Sequence, residues 1–112
     1  SKDVIKSGGE WISTIDLENL AIGHPAVANA AVIGVAHPKW DERPLLIVAR
    51  KPGAEASAAD ILAIYEGRVA KWWTPDDVQF VESIPLGPTG KILKTQLREQ
   101  FKDYRLPTAE KP

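Results

Sequence analysis

A chain of 112 residues, 44% hydrophobic and 26% charged with a formal net charge of −1, is the size of one domain with a modest core. The near-zero charge removes any bulk electrostatic case for nucleic acid or a charged membrane surface. The lack of cysteine excludes disulfides, thiolate metal sites and cysteine catalysis. Two histidines, each followed by Pro, do not suggest a metal cluster, and no apolar run is long enough to span a bilayer. The abrupt start at Ser1-Lys2-Asp3, without Met or a signal peptide, suggests a piece of a longer polypeptide.

In chain order, Asp3–Lys6 and Glu10–Ser13 are short strand-like pieces around Ser7-Gly8-Gly9, a hairpin signal. The glycines are a tight turn, or a place where bare backbone meets a ligand. Ser13-Thr-Ile-Asp16 has the form of a capping box, and Asp16 and Glu18 suit the positive end of the helix that follows. Leu17, Leu20 and Ala21 share a face of that helix, which Gly23 and Pro25 end. Val27–Val35 and Pro44–Ala49 read as strands, the second opening after Pro44. The loop between them, His37–Arg43, reads as having a solvated His37 and an anchoring Trp40. Ser57-Ala-Ala-Asp60 is a second capping box, followed by a helical face through Ile61, Ile64, Tyr65 and Arg68 or Val69. Arg68 and Lys71 then fall in the last turn, where cations suit the dipole; phosphate binding is the alternative. Trp72-Trp73 reads as a packed corner, and Asp77–Val81 as another strand.

The stretch Pro85-Leu-Gly-Pro-Thr-Gly-Lys91-Ile-Leu-Lys94 is a Pro/Gly-limited loop ending at a lysine and opening a helix with Leu93, Leu97 and Phe101 at i, i+4, i+8. A lysine held there can bring a point charge to a phosphate or carboxylate. Residues 107–112 read as a frayed tail beyond a domain of residues 1–106. The order hairpin, helix, strand, strand, helix, strand, loop, helix predicts an α+β fold: a small mixed sheet with an N-terminal β-hairpin and about three packed helices.

Lys2-Asp-Val-Ile-Lys-Ser-Gly-Gly-Glu-Trp-Ile-Ser13 resembles the motif that opens the C-terminal domain of fatty acyl-CoA synthetases, in the adenylate-forming superfamily. Pro85–Arg98 resembles that domain's closing motif, P-x-x-x-x-G-K-I-x-K-x-x-L-R. His24-Pro25, His37-Pro-Lys-Trp40, Glu42-Arg-Pro44, Lys71-Trp-Trp73 and Pro75-Asp-Asp77 resemble the medium- and long-chain fatty acid branch.

The resemblance implies a lid domain that swivels on a large N-terminal domain holding ATP with Mg2+ and the fatty acid. Acid and ATP give acyl-AMP and pyrophosphate, and CoA then displaces AMP. Lys91 would be the adenylation lysine, supported by Thr89 and Gly90. Gly8, Gly9, Glu10 and Trp11 would line the pantetheine tunnel of the second step, where a side chain in place of glycine would block the thiol arm. Lys2, with Asp3, would form the hinge. Arg68 and Lys71 lie where the CoA phosphates would pass. Leu86-Gly-Pro88 departs from the polar set usual before the Gly-Lys pair, so side-chain contacts from those positions are not carried over. Pro85-x-x-x-x-Gly90-Lys91 also resembles the context in which a lysine acetyltransferase modifies such lysines, which would remove the charge. The implied setting is cytoplasmic, with the isolated domain inactive. The competing class is a free-standing, non-catalytic binding module of the same fold, which would have no need for Lys2, Gly8-Gly9 and Lys91 together.

Overall fold

The computed structural model describes residues 4–110. Two strands, β1 (Val4–Ser7) and β2 (Glu10–Ser13), form the hairpin expected around Gly8-Gly9. Helix α1 (Thr14–Ile22) follows at once, with Ser13 Oγ accepting from Asp16 N at 3.2 Å as its N-cap. Strands β3 (Val27–His37) and β4 (Asp41–Arg50) make a long antiparallel pair. After α2 (Ala58–Leu62) comes β5 (Asp77–Val81), parallel to β4, and then α3 (Lys94–Gln100). The result is the expected α+β arrangement.

Strand β4 is the spine. Pairing with β3 occupies one of its edges along its length. On the other edge β5 runs beside Leu45–Ala49, and the β1–β2 hairpin joins only at Ser7 opposite Asp41. With neighbours on both edges and layers on both faces, β4 is buried continuously from Arg43 to Ala49. The two-residue period of a strand then divides its side chains. Leu46 and Val48 join Ile5, Ile12, Leu17, Val32, Ile61 and Tyr65 in one core, under α1 and α2. Leu45 and Ile47 join Ile33, Ile84, Leu97 and Leu106 in a second core, under α3. The molecule is thus three layers with the sheet in the middle.

Several local expectations change. The supposed loop 37–43 is a three-residue turn, because His37 already pairs with Asp41. His37 is buried rather than solvated, its Nδ1 accepting from the backbone N–H groups of Lys39 (3.0 Å) and Trp40 (3.3 Å). Asp41 takes a left-handed conformation (φ 71°) to re-enter the sheet. Strand β4 therefore runs through Pro44 rather than starting after it. The capping box at Ser57 and Asp60 is present in both directions, yet α2 lasts five residues before tightening into a 3₁₀ turn at Ala63–Tyr65. Arg68 and Lys71 therefore lie beyond the helix, and a dipole role does not hold for them. Residues 107–110, expected as tail, form a 3₁₀ turn behind the fully buried Leu106, and Thr108 Oγ1 donates to Asp76 Oδ2 at 2.6 Å.

Candidate functional site

The stretch that ends at Lys91 is a miniature hairpin. Leu86 pairs with Ile92, Gly87 N donates to Lys91 O at 2.8 Å, and Leu93 N donates to Pro85 O at 2.9 Å. Pro88, Thr89 and Gly90 make the exposed tip, closed by Gly90 N donating to Gly87 O at 3.0 Å, with Gly90 at φ 85°. Ile84 and Leu97, on either side, are rooted in the second core. The stem is thereby fixed while the Lys91 side chain is exposed, and no hydrogen bond or ion pair within the described residues engages its ammonium group.

Lys94, which opens α3, behaves in the opposite way. Its ammonium group sits 2.7 Å from Glu18 Oε2 and donates to Thr14 Oγ1 at 3.1 Å, with side-chain exposures of 14% for Lys94 and 11% for Glu18. The same Glu18 oxygen accepts from Val32 N at 2.8 Å, satisfying an outward-facing amide of β3. A cation in the first turn of α3 opposes the helix dipole, and Leu93 supplies no side-chain cap. The tertiary pair is what accounts for it.

At the N-terminal hairpin, Gly8 (φ 58°) and Gly9 (φ 87°) both need positive φ, the signature of a type I′ turn. Their surroundings differ. Gly8 N donates to Trp40 O at 2.8 Å, and a Cβ on Gly8 would stand 2.9 Å from Trp40 Cε3. A Cβ on Gly9 would meet nothing within 4 Å. Gly9 thus offers open backbone, while Trp40 covers Gly8.

Gly8 and Glu10 line a groove of about 440 Å3 with Ser7, Trp40, Arg43 and Trp72. Trp40 and Trp72 are each 43% exposed. Trp11, grouped with Gly8–Glu10 by sequence, lines a different depression of about 540 Å3 with Val4, Lys6, Glu42 and Arg98. Lys6 Nζ lies 5.5 Å from the Trp11 ring centre, across the β1–β2 pair. Arg68 lines a third depression with Asp16, Leu20 and Trp73, and Lys71 a fourth with Glu66, Arg43 and Asp76. The two cations thus line different depressions. Lys2 and Asp3 lie outside the described residues.

Sequence reasoning missed Arg43. Its side chain is 11% exposed and pairs with Asp76 (Nε to Oδ1, 2.8 Å). Nη1 donates to Ser7 Oγ at 2.9 Å, and Nη2 donates to the carbonyls of Trp72 (2.8 Å) and Thr74 (3.1 Å). In the sequence it stood out only as part of Glu42-Arg-Pro44, just before an apolar run. Among the described residues, no group of three or more His, Cys, Asp or Glu side chains is placed to hold a metal, and no helix is long and apolar enough to cross a membrane.

Comparison with known proteins places these features in context. Residues 16–91 match the family described as the AMP-binding enzyme C-terminal domain. The chain is 60% identical over 103 residues to a 3-methylmercaptopropionyl-CoA ligase of Ruegeria pomeroyi, covering 92% of this chain and 19% of that protein. It is 51% identical over 106 residues to a medium-chain-fatty-acid–CoA ligase of Ectopseudomonas oleovorans, covering 95% and 19%. Among solved structures, a Mycobacterium tuberculosis fatty acyl CoA synthetase superposes with a TM-score of 0.84 at 43% identity, covering 91% of this chain and 20% of that one. Apo MatB from Rhodopseudomonas palustris gives 0.86 at 35% identity, with 92% and 21% coverage. The chain spans about a fifth of the length of the relatives it matches.

Proposed function

The chain belongs to the AMP-binding enzyme C-terminal domain family, and from that premise we propose that it is the mobile lid of an ATP-dependent fatty acyl-CoA synthetase, carrying one essential group for each half-reaction. In the first, Lys91 is delivered to a site built by an N-terminal domain that binds ATP, its Mg2+ and the acid. Two anions, a carboxylate and the α-phosphate, must meet there. A positioned cation in a site closed to water offsets their repulsion and the charge that develops at phosphorus. Lys91 acts by charge and placement, with no need to give up its proton. The acid itself is selected by the N-terminal domain.

In the second half-reaction the lid turns and presents the Gly8-Gly9 hairpin to the same centre. The open space over Gly9 suits the passage of a pantetheine arm, and the turn holds its backbone in place. Lys2 and Asp3 are proposed to absorb the rotation.

The observation that carries this reading is the contrast between Lys91 and Lys94. Two lysines stand three residues apart, Lys91 in the hairpin and Lys94 at the start of α3. Lys94 is committed to a buried carboxylate, and Lys91 stays exposed on a braced stem with no counter-charge among the described residues. The test is Lys91→Ala in the full-length enzyme, with the half-reactions assayed separately. Acyl-AMP formation is expected to fall by roughly 10²–10³-fold, the scale of losing one preorganised electrostatic contact. Thioester formation from supplied acyl-AMP is expected to change by no more than about threefold, because Lys91 is then turned away from the centre. Equal losses in both steps would refute the two-pose reading. Exposure also makes Lys91 open to a lysine acetyltransferase, and acetylation would silence only the first step. Treatment with acetyl-CoA and a transferase active on a control synthetase should add one acetyl group at Lys91 by mass spectrometry. An unmodified Lys91 beside a modified control removes that idea.

A further inference from the structure

The β1–β2 hairpin is weakly joined to the sheet. It shares a single register pair with β4, Ser7 with Asp41, and one further backbone bond, Gly8 N to Trp40 O. A two-stranded hairpin has little stability of its own. Its inner side chains Ile5 and Ile12 reach the first core, and the contacts at Ser7 and Gly8 join its tip to the β3–β4 turn. Arg43 adds a side-chain tie to that tip.

Arg43 lies on β4 where the edge facing the hairpin gives way to the edge facing β5. From this gap its guanidinium reaches both ways. Nη1 holds Ser7 Oγ, the residue before Gly8. Nη2 holds the carbonyls of Trp72 and Thr74. Nε is locked on Asp76, whose own backbone N–H is tied to Pro44 O at 3.0 Å and whose other carboxylate oxygen accepts from Thr108. Ser7, Trp72 and Arg43 line the same groove as Gly8, Glu10 and Trp40. One planar cation therefore ties together two segments that line the groove. A lysine could not do this, because a single ammonium point cannot reach three directions in one plane.

We propose that Arg43 is a positioning residue for the thioester-forming half-reaction. It sets the gap between the glycine hairpin and the Trp72–Thr74 segment, and so decides whether a thiol-bearing chain passes Gly9 in register. The inference rests on the proposed use of the hairpin and adds the residue that aligns it. Arg43 touches no reacting atom. Its effect should appear in one step only.

The experiment uses the full-length enzyme with Ser7→Ala, Arg43→Lys and Gly9→Leu, each assayed for acyl-AMP formation and for thioester formation from supplied acyl-AMP at varied CoA. Ser7→Ala removes one neutral-to-charged hydrogen bond in a small buried site and is compatible with folding, so it remains decisive if Arg43→Lys misfolds. Expected for Ser7→Ala is a loss of roughly 10–100-fold in kcat/KM for CoA, the scale of one charge-assisted hydrogen bond, with acyl-AMP formation within about twofold of the parent. Arg43→Lys should lose more than Ser7→Ala in the same step. Hydrogen exchange should speed up locally in residues 7–10 of both variants and stay unchanged in α3. If Gly9→Leu blocks thioester formation while Ser7→Ala leaves kcat/KM for CoA unchanged, the hairpin keeps its role and the alignment by Arg43 is wrong. A Gly9→Leu enzyme with normal thioester formation overturns the hairpin reading, and the inference with it. Equal loss of both steps in Ser7→Ala makes Arg43 merely structural.

Discussion

Removing the Glu18 carboxylate should be among the most damaging single changes to this fold. Glu18 Oε2 serves two partners at once, Lys94 Nζ at 2.7 Å and Val32 N at 2.8 Å. Glu18→Ala leaves the Lys94 ammonium group with Thr14 Oγ1 alone and leaves an edge amide of β3 unpaired. Breaking a buried pair from one side costs about 3–5 kcal/mol, and a buried amide left unmet costs about 1–3 kcal/mol more. Both side chains keep slight exposure, 14 and 11%, so water recovers part of this and about 3 kcal/mol is the expected net loss. For a domain of this size that corresponds to a fall in Tm of about 12 °C or more. The assay is urea unfolding followed by tryptophan fluorescence, with a double-mutant cycle through Lys94→Met. The double variant Glu18→Ala/Lys94→Met should be more stable than Glu18→Ala alone, because the stranded charge is gone. A Glu18→Ala loss below about 1 kcal/mol, the worth of a surface pair, would show that the pair is not a buried tether. A double variant as unstable as the sum of the singles would show that the two residues are not coupled.

The two glycines of the hairpin should respond unequally to alanine. Both substitutions carry the strain of positive φ, about 1–2 kcal/mol, but only Gly8→Ala also meets Trp40, so it should be about 1 kcal/mol less stable than Gly9→Ala by urea unfolding; equal losses would count against the Trp40 contact. Tyr65 is buried, its hydroxyl donating to Leu17 O at 2.7 Å, and Tyr65→Phe should cost about 1 kcal/mol at neutral pH. Burial, aided by the nearby Glu18 charge, holds the Tyr65 phenol well above its ordinary value of 10.0. Above pH 10 the unfolded chain therefore releases a proton that the folded chain keeps, and stability falls as pH rises. Tyr65→Phe should flatten that alkaline fall between pH 10 and 11, as read by unfolding midpoints; an unchanged slope would show that another group causes it.

What could be read from the sequence was what local chemistry controls. The Gly8-Gly9 turn, the Ser13 and Ser57 caps and the apolar runs of β3, β4 and β5 all follow from residue type and spacing. The β3–β4 hairpin did not, because its turn lacks glycine. It is held by the His37 imidazole and by Asp41 in a conformation that sequence patterns rarely assign to aspartate. The early end of α2 was hidden because the apolar positions continue past Leu62 while the backbone tightens. The exposed Lys91 was legible because its loop carries its own geometry in glycine and proline. The roles of Arg43 and Lys94 were not, since each depends on groups far away in the chain. Lys94 and Thr14 are 80 residues apart, and Arg43 and Ser7 are 36 apart. No window of neighbouring residues distinguishes a lysine that will be buried against a carboxylate from one that will stay in water.

The two polar anchors also bear on how the proposed lid would serve two half-reactions. Arg43, Ser7, Asp76 and Thr108 tie together β1, β4, the approach to β5 and the C-terminal turn. Lys94, Glu18 and Thr14 tie α3 to α1 and β3. The two sets share no residue, and among the described residues no hydrogen bond joins them. Between them lies a sheet with a packed core on each face, which resists bending. The proposed alternation is then a rotation of the whole lid, with each anchor serving its own end. Lys94→Met should slow acyl-AMP formation through the Lys91 stem and spare the thioester step, while Ser7→Ala does the reverse. In the double variant each step should match its own single variant within about twofold, as for independent sites. A loss in either step several-fold beyond that would mean that strain passes between the ends, and that the lid deforms as it turns.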